Sequence, residues 1–441
     1  MLRTIDLRGR ALSPAELLAA VPRATSARDE AFAAAAGLVA DVAAEGEAAL
    51  RAQAERFDAV TDHDIRVPAS HLDDALAELD PAVRGALEEA IVRVRRASHA
   101  QVPPPVVTEL GPGARVAQRW QPVRRVGLYV PGGKAVYPSS VVMNVVPAQV
   151  AGVEQIALAS PPQRSHGGRV HPVILAAARL LGVDEVYAMG GAGAIGAFAE
   201  GVASIGLAPV DVVTGPGNNF VAAAKRAVAG RVGTDAEAGA TEILVVADAS
   251  ADPRLIAVDL VSQAEHDEQA AAVLVTDSAE LAGAVADATR AAAQVTRHAE
   301  RVAAALAGPQ SAIVLVDDLA TATAFSNAYA PEHLELHLAD PRPEDFVHAG
   351  AIFVGPDSPV SLGDYLAGSN HVLPTGGQSR YASGLSAMTF LRPQQVIEYD
   401  RAALSTVRDA IVTLAEAEQL PAHGEAVVAR FEARPTAADK A

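Results

Sequence analysis

The chain has 441 residues, is 50% hydrophobic and only 20% charged, which allows two or three domains with substantial cores and argues against a disordered chain. Its 35 basic and 53 acidic side chains give a formal charge of −18, a poor balance for binding DNA or RNA through phosphate neutralisation. It contains no cysteine, so disulfides, thiolate zinc sites and cysteine nucleophiles are excluded.

Residues 1–24 are short and mixed, an N-terminal arm in this reading, with no apolar core of a secretory signal. The alanine-rich run from Ala31 to Ala44 is broken by Asp41 and is too weakly apolar to span a bilayer. A soluble cytoplasmic protein with no membrane and no nucleic-acid partner is expected. Helical patterns cover Ala27 to about Phe57 and Pro81 to about Ser98, the second opened by Asp80 as a cap. Three prolines between Val102 and Val107 read as a stiff linker. From Arg125 the chain alternates between short apolar strands and helices. The strands fall at Arg125–Val130, Gln155–Ala159, Glu185–Met189, Asp211–Thr214, Glu242–Ala247, Ala272–Thr276, Ala312–Val316 and Ala351–Val354. Such alternation implies parallel sheets covered by helices on both faces. The span is too long for one simple sheet, so the fold class is α/β with two incomplete Rossmann-like parallel-sheet domains, the small arm, and a helical C-terminal tail. The expected division is 25–128 with 241–385 as a first domain, 129–240 as a second, and 386–441 as the tail.

Candidate chemistry is scattered along this frame. Gly191-Ala-Gly193-Ala-Ile-Gly196 follows a strand and opens a helix, with Asp211 about twenty residues on. That fits either a dinucleotide fingerprint or a tight strand-to-helix connection. Gly215-Pro-Gly217-Asn218 places Asn218 as a helix cap, and the turn Tyr129–Lys134 places a tyrosine either against a nucleotide or in the core. Asp252 and Pro253 open a helix whose end carries Gln263 and His266 three residues apart, on one side. This pair could share a metal ion, or His266 could simply sit in an acidic helix end. Glu332 beside His333 is either a general-base set or a helix-end ion pair. The Pro331 that precedes them predicts an extended Ala330. Asp364 and His371 lie in a glycine-rich polar loop, as an oxygen ligand and a substrate contact or as a cap and a surface histidine. Glu418 and His423 read alone as a solvated helix end.

Taken together, Tyr129–Gly133, Gly215–Asn218, Ser262-Gln-Ala-Glu-His266, Ala330-Pro-Glu-His333, Gly363–Thr375 and Glu418–His423 resemble the histidinol dehydrogenase family in order and spacing, over roughly Arg3 to Arg430. The resemblance implies an NAD-dependent, zinc-binding homodimer that oxidises L-histidinol to L-histidine through L-histidinal. It implies zinc on Gln263, His266, Asp364 and, from the partner subunit, His423. Glu332 and His333 become the acid–base pair. Thr241, His371 and Glu418 lie around the substrate with His333 and the zinc ligands, and Tyr129, Gly193 and Asn218 meet NAD. The tail would then be a dimerisation tail, with most zinc and catalytic residues in the first domain and the NAD contacts in the second. Two positions depart from the family pattern: Gly193 stands where a glutamine is frequent, and Thr241 where serine is usual. The chemistry agrees with the residue types. Without cysteine no thiohemiacetal can form, so oxidation of an aldehyde needs water activated by a base, for which Glu332 is suited.

Overall fold

The computed structural model describes residues 2–23, 28–132, 135–236 and 239–432, with the side chains of 28–30 outside the description. Gly133 and Lys134 of the predicted Tyr129 turn lie outside the described residues. In chain order the strands are β1 (Arg3–Asp6), β2 (Val106–Gly111), β3 (Ala114–Pro122), β4 (Arg125–Tyr129), β5 (Gln155–Ser160), β6 (Glu185–Ala188), β7 (Val212–Thr214), β8 (Gly233–Thr234), β9 (Glu242–Ala247), β10 (Ala271–Thr276), β11 (Ala312–Leu315), β12 (His333–His337), β13 (Ala351–Val354) and β14 (Leu391–Tyr399). The chain divides into two compact units. One comprises the chain up to Val102 together with Pro122–Phe390, and the other Pro103–Gln121 with the chain from Leu391 onward.

The first unit holds two parallel sheets. A five-stranded sheet runs β6-β5-β4-β7-β8 and a six-stranded sheet runs β1-β11-β10-β9-β12-β13. Their central strands are continuous apolar runs, such as residues 243–247 and 271–275, buried at every position. This is the pattern of strands covered by helices on both faces. One face of the six-stranded sheet packs Ile243, Val245 and Leu274 against Ile256 and Leu260 of the helix Pro253–Ala264. The other face packs Leu244, Val246, Leu334 and Leu336 against Phe325 and Tyr329 of the helix Leu319–Tyr329. The α/β class with paired parallel sheets is therefore as the alternation predicts. The stretch expected as an arm supplies β1, which pairs in parallel with β11, and the helix Pro14–Ala20.

The helix openings follow local chemistry. Asp252 accepts from the Arg254 amide with Pro253 at the first helical position, and Asn218 accepts from the amides of Phe220 and Val221 at 3.0 and 3.2 Å. Ala330 differs from expectation: it is left-handed, with φ 52°, not extended. It ends the helix Leu319–Tyr329, donating its amide to Ser326 O at 2.7 Å. The left-handed region also escapes the clash that proline imposes on a preceding right-handed residue, at a strain of about 1–2 kcal/mol. Arg23 compensates by donating to the carbonyls of Tyr329 and Ala330 while stacking over the Tyr329 ring at 4.2 Å.

In the second unit β14, β3 and β2 form a three-stranded sheet. Arg115 and Arg119 reach Glu398 and Gln394 across it, each at 2.8 Å. The helices Arg401–Ala417 and Pro421–Val428 complete the helical C-terminal end. No described helix is long and apolar enough to cross a membrane.

Candidate active site

A cleft of about 750 Å3 in the first unit gathers residues from both parallel sheets. In the five-stranded sheet the strand order changes direction at β4, with β5 on one side and β7 on the other. Ligands in such sheets bind where the carboxyl ends of those two strands separate. Tyr129 ends β4 and Gly215 follows β7, and the cleft is lined there by Tyr129, Gly190–Ala192 and Pro216–Phe220. Tyr129 is buried, and its hydroxyl accepts from the Gly191 amide at 3.1 Å; burial pushes that phenol up to about 12. Gly215 has φ +124°, and a Cβ there would lie 2.0 Å from Tyr129 O, so only glycine permits the loop. Lys225, itself buried, holds the loop by donating to Gly215 O at 3.0 Å and to Asp235 at 2.5 Å.

The glycine-rich pattern has two explanations in one stretch. Gly190 and Gly191 line the cleft, but a Cβ on Gly193 would lie 2.3 Å from Gln53 Oε1, and one on Gly196 would lie 3.2 Å from the Val39 backbone. Gly193 and Gly196 thus serve close helix packing, while Gln53 lines the cleft. Asp211 does not meet the cleft either: its carboxylate accepts the Arg124 and Arg125 amides at 2.9 and 3.0 Å, on the far end of the sheet.

The six-stranded sheet meets the cleft with its amino ends. The register pairs His333 with Ile243, so Glu332 and Glu242 lie side by side where β12 and β9 begin. Glu332 Oε2 accepts from Thr241 Oγ1 at 2.5 Å and from the Glu242 amide at 2.8 Å. Burial nevertheless raises its carboxyl to about 8. Gln263 Nε2 donates to the same Thr241 hydroxyl at 2.6 Å, forming a chain from Gln263 through Thr241 to Glu332. Gln263 Oε1 is left buried without a hydrogen-bond partner.

Each histidine is oriented by a carbonyl, which fixes Nδ1 as the donor. His333 Nδ1 meets Glu242 O at 3.1 Å, His266 Nδ1 meets Gln263 O at 3.2 Å, and His371 Nδ1 meets Asp364 O at 2.9 Å. The Nε2 atoms of His266 and His333 are thereby free for a ligand or a proton, whereas His371 Nε2 accepts from Ser140 at 3.1 Å. Burial holds His333 and His371 below the usual imidazole range. His266, Asp364, Glu332, His333 and His371 all line the cleft. An orphaned amide oxygen, an imidazole nitrogen and a carboxylate are donors that suit a zinc ion. Glu418 and His423 belong to the second unit, where both are exposed, Glu418 capping the helix Arg401–Ala417 and His423 lying in the last helix.

Three contributors were not visible in the sequence. Arg23 forms a buried ion pair with Glu242, Ser140 fixes His371, and Asp58, raised to about 6 by burial, lines the cleft beside Tyr129. Only the proximity of Asp58 to the helix end at Phe57 offered any sequence cue.

The family model described as histidinol dehydrogenase matches residues 21–431. The chain is 64% identical over 435 residues to the histidinol dehydrogenase of Leifsonia xyli subsp. xyli, covering 98% of this chain and 100% of that one. It is 56% identical to that of Mycobacterium tuberculosis, covering 98% of each. The crystal structure of histidinol dehydrogenase from Elizabethkingia anophelis superposes with a TM-score of 0.89 at 31% identity, covering 98% of both chains. The order of the site motifs, the paired sheets and these likenesses agree: the chain belongs to the histidinol dehydrogenase family, oxidoreductases of histidine biosynthesis.

Proposed function

We propose that the protein oxidises L-histidinol to L-histidine in two steps, each delivering a hydride to NAD⁺, with one zinc ion per subunit. The carrying observation is the chain Gln263–Thr241–Glu332, which ends in an unpartnered buried amide oxygen at one end and a buried carboxyl at the other. Gln263, His266 and Asp364 would hold zinc, and His423 of a second copy would complete the set in a homodimer. Zinc there supplies a Lewis-acid template for the amino and imidazole nitrogens of the substrate.

The residues then divide the work. His333 Nε2 accepts the alcohol proton as the hydride leaves for NAD⁺, giving the aldehyde. Glu332, once ionised, takes a proton from water as that water adds to the aldehyde carbon, while His333 returns its proton to the aldehyde oxygen, leaving the hydrate and a neutral imidazole. His333 accepts the proton of the resulting hydrate as the second hydride leaves, and the carboxylic acid forms. Thr241 and the Glu242 amide hold the Glu332 carboxylate in place. His371, fixed by Ser140, and Glu418 would contact the substrate, Glu418 at its imidazole. Tyr129 and Asn218 would contact NAD, Gly193 serving the packing beneath them. The helix N-termini at Gly191 and Asn219 suit its pyrophosphate. A soluble enzyme of the cytoplasm is the setting that this chemistry implies.

The test is NADH formation from L-histidinol, expected at two NADH per substrate and abolished by a chelator. No NADH from histidinol in zinc-replete protein would overturn the reading. Mixed dimers of His423→Ala and Glu332→Gln subunits should regain one active site, and failure to do so would place the whole site within one chain.

A further inference from the structure

Beyond the cleft, the same helix and strand carry a second polar cluster that the reaction above does not use. On β12, His333, Glu335 and His337 alternate and so face the same side of the sheet, toward the helix Pro253–Ala264. On that helix Asp259 lies four residues before Gln263, on the same face. One ligand atom from each of Asp259, Glu335 and His337 lies within 4.8 Å of the others. Glu335 and His337 are buried and Asp259 partly so, in a face otherwise packed with Val245, Ala247, Ile256 and Leu260.

We propose that Asp259, Glu335 and His337 form a second divalent-cation site that ties the helix Pro253–Ala264 to β12. Glu335 carries the argument. It is fully buried; its Oε1 accepts the Val360 amide at 2.9 Å, while its Oε2 accepts no hydrogen bond at all. That oxygen lies 3.4 Å from His337 Nε2. Two ligands on a tetrahedral ion at bond lengths of ~2.1 Å stand about 3.4 Å apart, so this pair already has the edge of a coordination shell. One Asp259 carboxylate oxygen lies within 4.8 Å of both, on the open third edge. A buried carboxylate oxygen that makes no hydrogen bond is costly unless a cation meets it. Mixed nitrogen and oxygen donors without sulfur suit zinc or manganese. The partial exposure of Asp259 leaves a position for water. One bound ion would fix the helix turn that precedes Gln263 and His266.

The test counts metal without using activity. Apo protein, prepared with a chelator, is titrated with Zn²⁺ and with Mn²⁺, and bound metal per subunit is measured after dialysis. The protein is expected to bind two ions. The double variant His266→Ala with Asp364→Asn should keep one, and its melting temperature should rise on adding zinc. Adding Asp259→Asn to that variant, or His337→Gln where the first fails to fold, should remove both the ion and the rise. A double variant that binds no ion, or a count unchanged by Asp259→Asn and His337→Gln, overturns the site. A parent protein that binds one ion, kept in His266→Ala and lost in His337→Gln, supports this site while removing the zinc of the proposed reaction, so the two readings fail separately.

Discussion

The two parallel sheets of the first unit meet the cleft with opposite ends. The five-stranded sheet brings carboxyl ends of strands and the N-termini of helices, at Gly191 and Asn219. Those termini present backbone N–H groups and favour an anion. The six-stranded sheet brings the amino ends of β9 and β12, with the C-terminus of the helix Pro253–Ala264 carrying Gln263 and His266. A helix C-terminus favours a cation. The construction differs in kind as well. On the first side the shape is made by glycines and backbone, and its buried charge, Lys225 with Asp235, is paired. On the second side buried titratable side chains are left with capacity, Glu332 raised to about 8 and Gln263 Oε1 without a partner. On the proposed function one side binds and the other reacts, so substitutions on the two should fail differently.

The largest separation is expected from Glu332→Gln. Removing a general base costs ~10²–10⁴ in rate. The amide can still accept from Thr241 and the Glu242 amide, so zinc content should persist. It also removes a carboxyl whose proton is held to about pH 8 in the folded protein. A group raised in this way stabilises below the unfolded value of 4.5 and loses that contribution as pH rises through 8. The variant should therefore melt higher than the parent at pH 8 while turning over far more slowly. Full turnover would show that Glu332 belongs to the binding side of the comparison.

Lys225→Met should do the reverse. It leaves Asp235 buried and unpaired, and breaking one partner of such a pair costs about 3–5 kcal/mol. Denaturant melts would read this as a large fall in stability. A fall below about 1 kcal/mol would mean that water reaches the pair and that this side is not held by buried charge.

How far the sequence reaches follows the same division. Caps, turns and apolar runs are local, so the helix that ends at Gln263 and His266, the Asn218 cap and the alternation of strands were legible. The pairing of β1 with β11 and the reach of Arg23 to Glu242 join positions some hundreds of residues apart, and nothing local signals them. Ala330 reads as extended from its proline alone, but the capping bond to Ser326 and the grip of Arg23 select the left-handed alternative. The glycine pattern at 191–196 is real, yet the third dimension decides that Gly193 answers to Gln53 and not to the cleft.

Gly215→Ala tests the backbone side directly. The positive φ alone costs about 1–3 kcal/mol for a residue with a Cβ, and the contact with Tyr129 O forces the loop to move. The expected outcome is a lower melting temperature and a raised KM for NAD⁺ with a smaller change in kcat. A change confined to kcat would contradict the assignment of this loop to binding.

The smallest effect concerns the charge on the binding side whose perturbation comes from burial with no charged partner. Asp58 lines the cleft beside Tyr129, and desolvation raises its carboxyl from 3.8 to about 6. The folded state therefore holds a proton that the unfolded chain releases. Its contribution is fully present below about pH 4 and disappears as pH rises through 6. Asn cannot ionise, so the stability of Asp58→Asn relative to the parent should be near its minimum at about pH 4, grow between about 4 and 6, and level off by about pH 7. A tenfold change in proton affinity is worth about 1.4 kcal/mol, but water reaches this half-buried group and reduces the plateau to about 1 kcal/mol. A difference that stays flat across that range would mean that Asp58 is solvated like a surface carboxylate, and that this side of the cleft is wetter than its backbone construction implies.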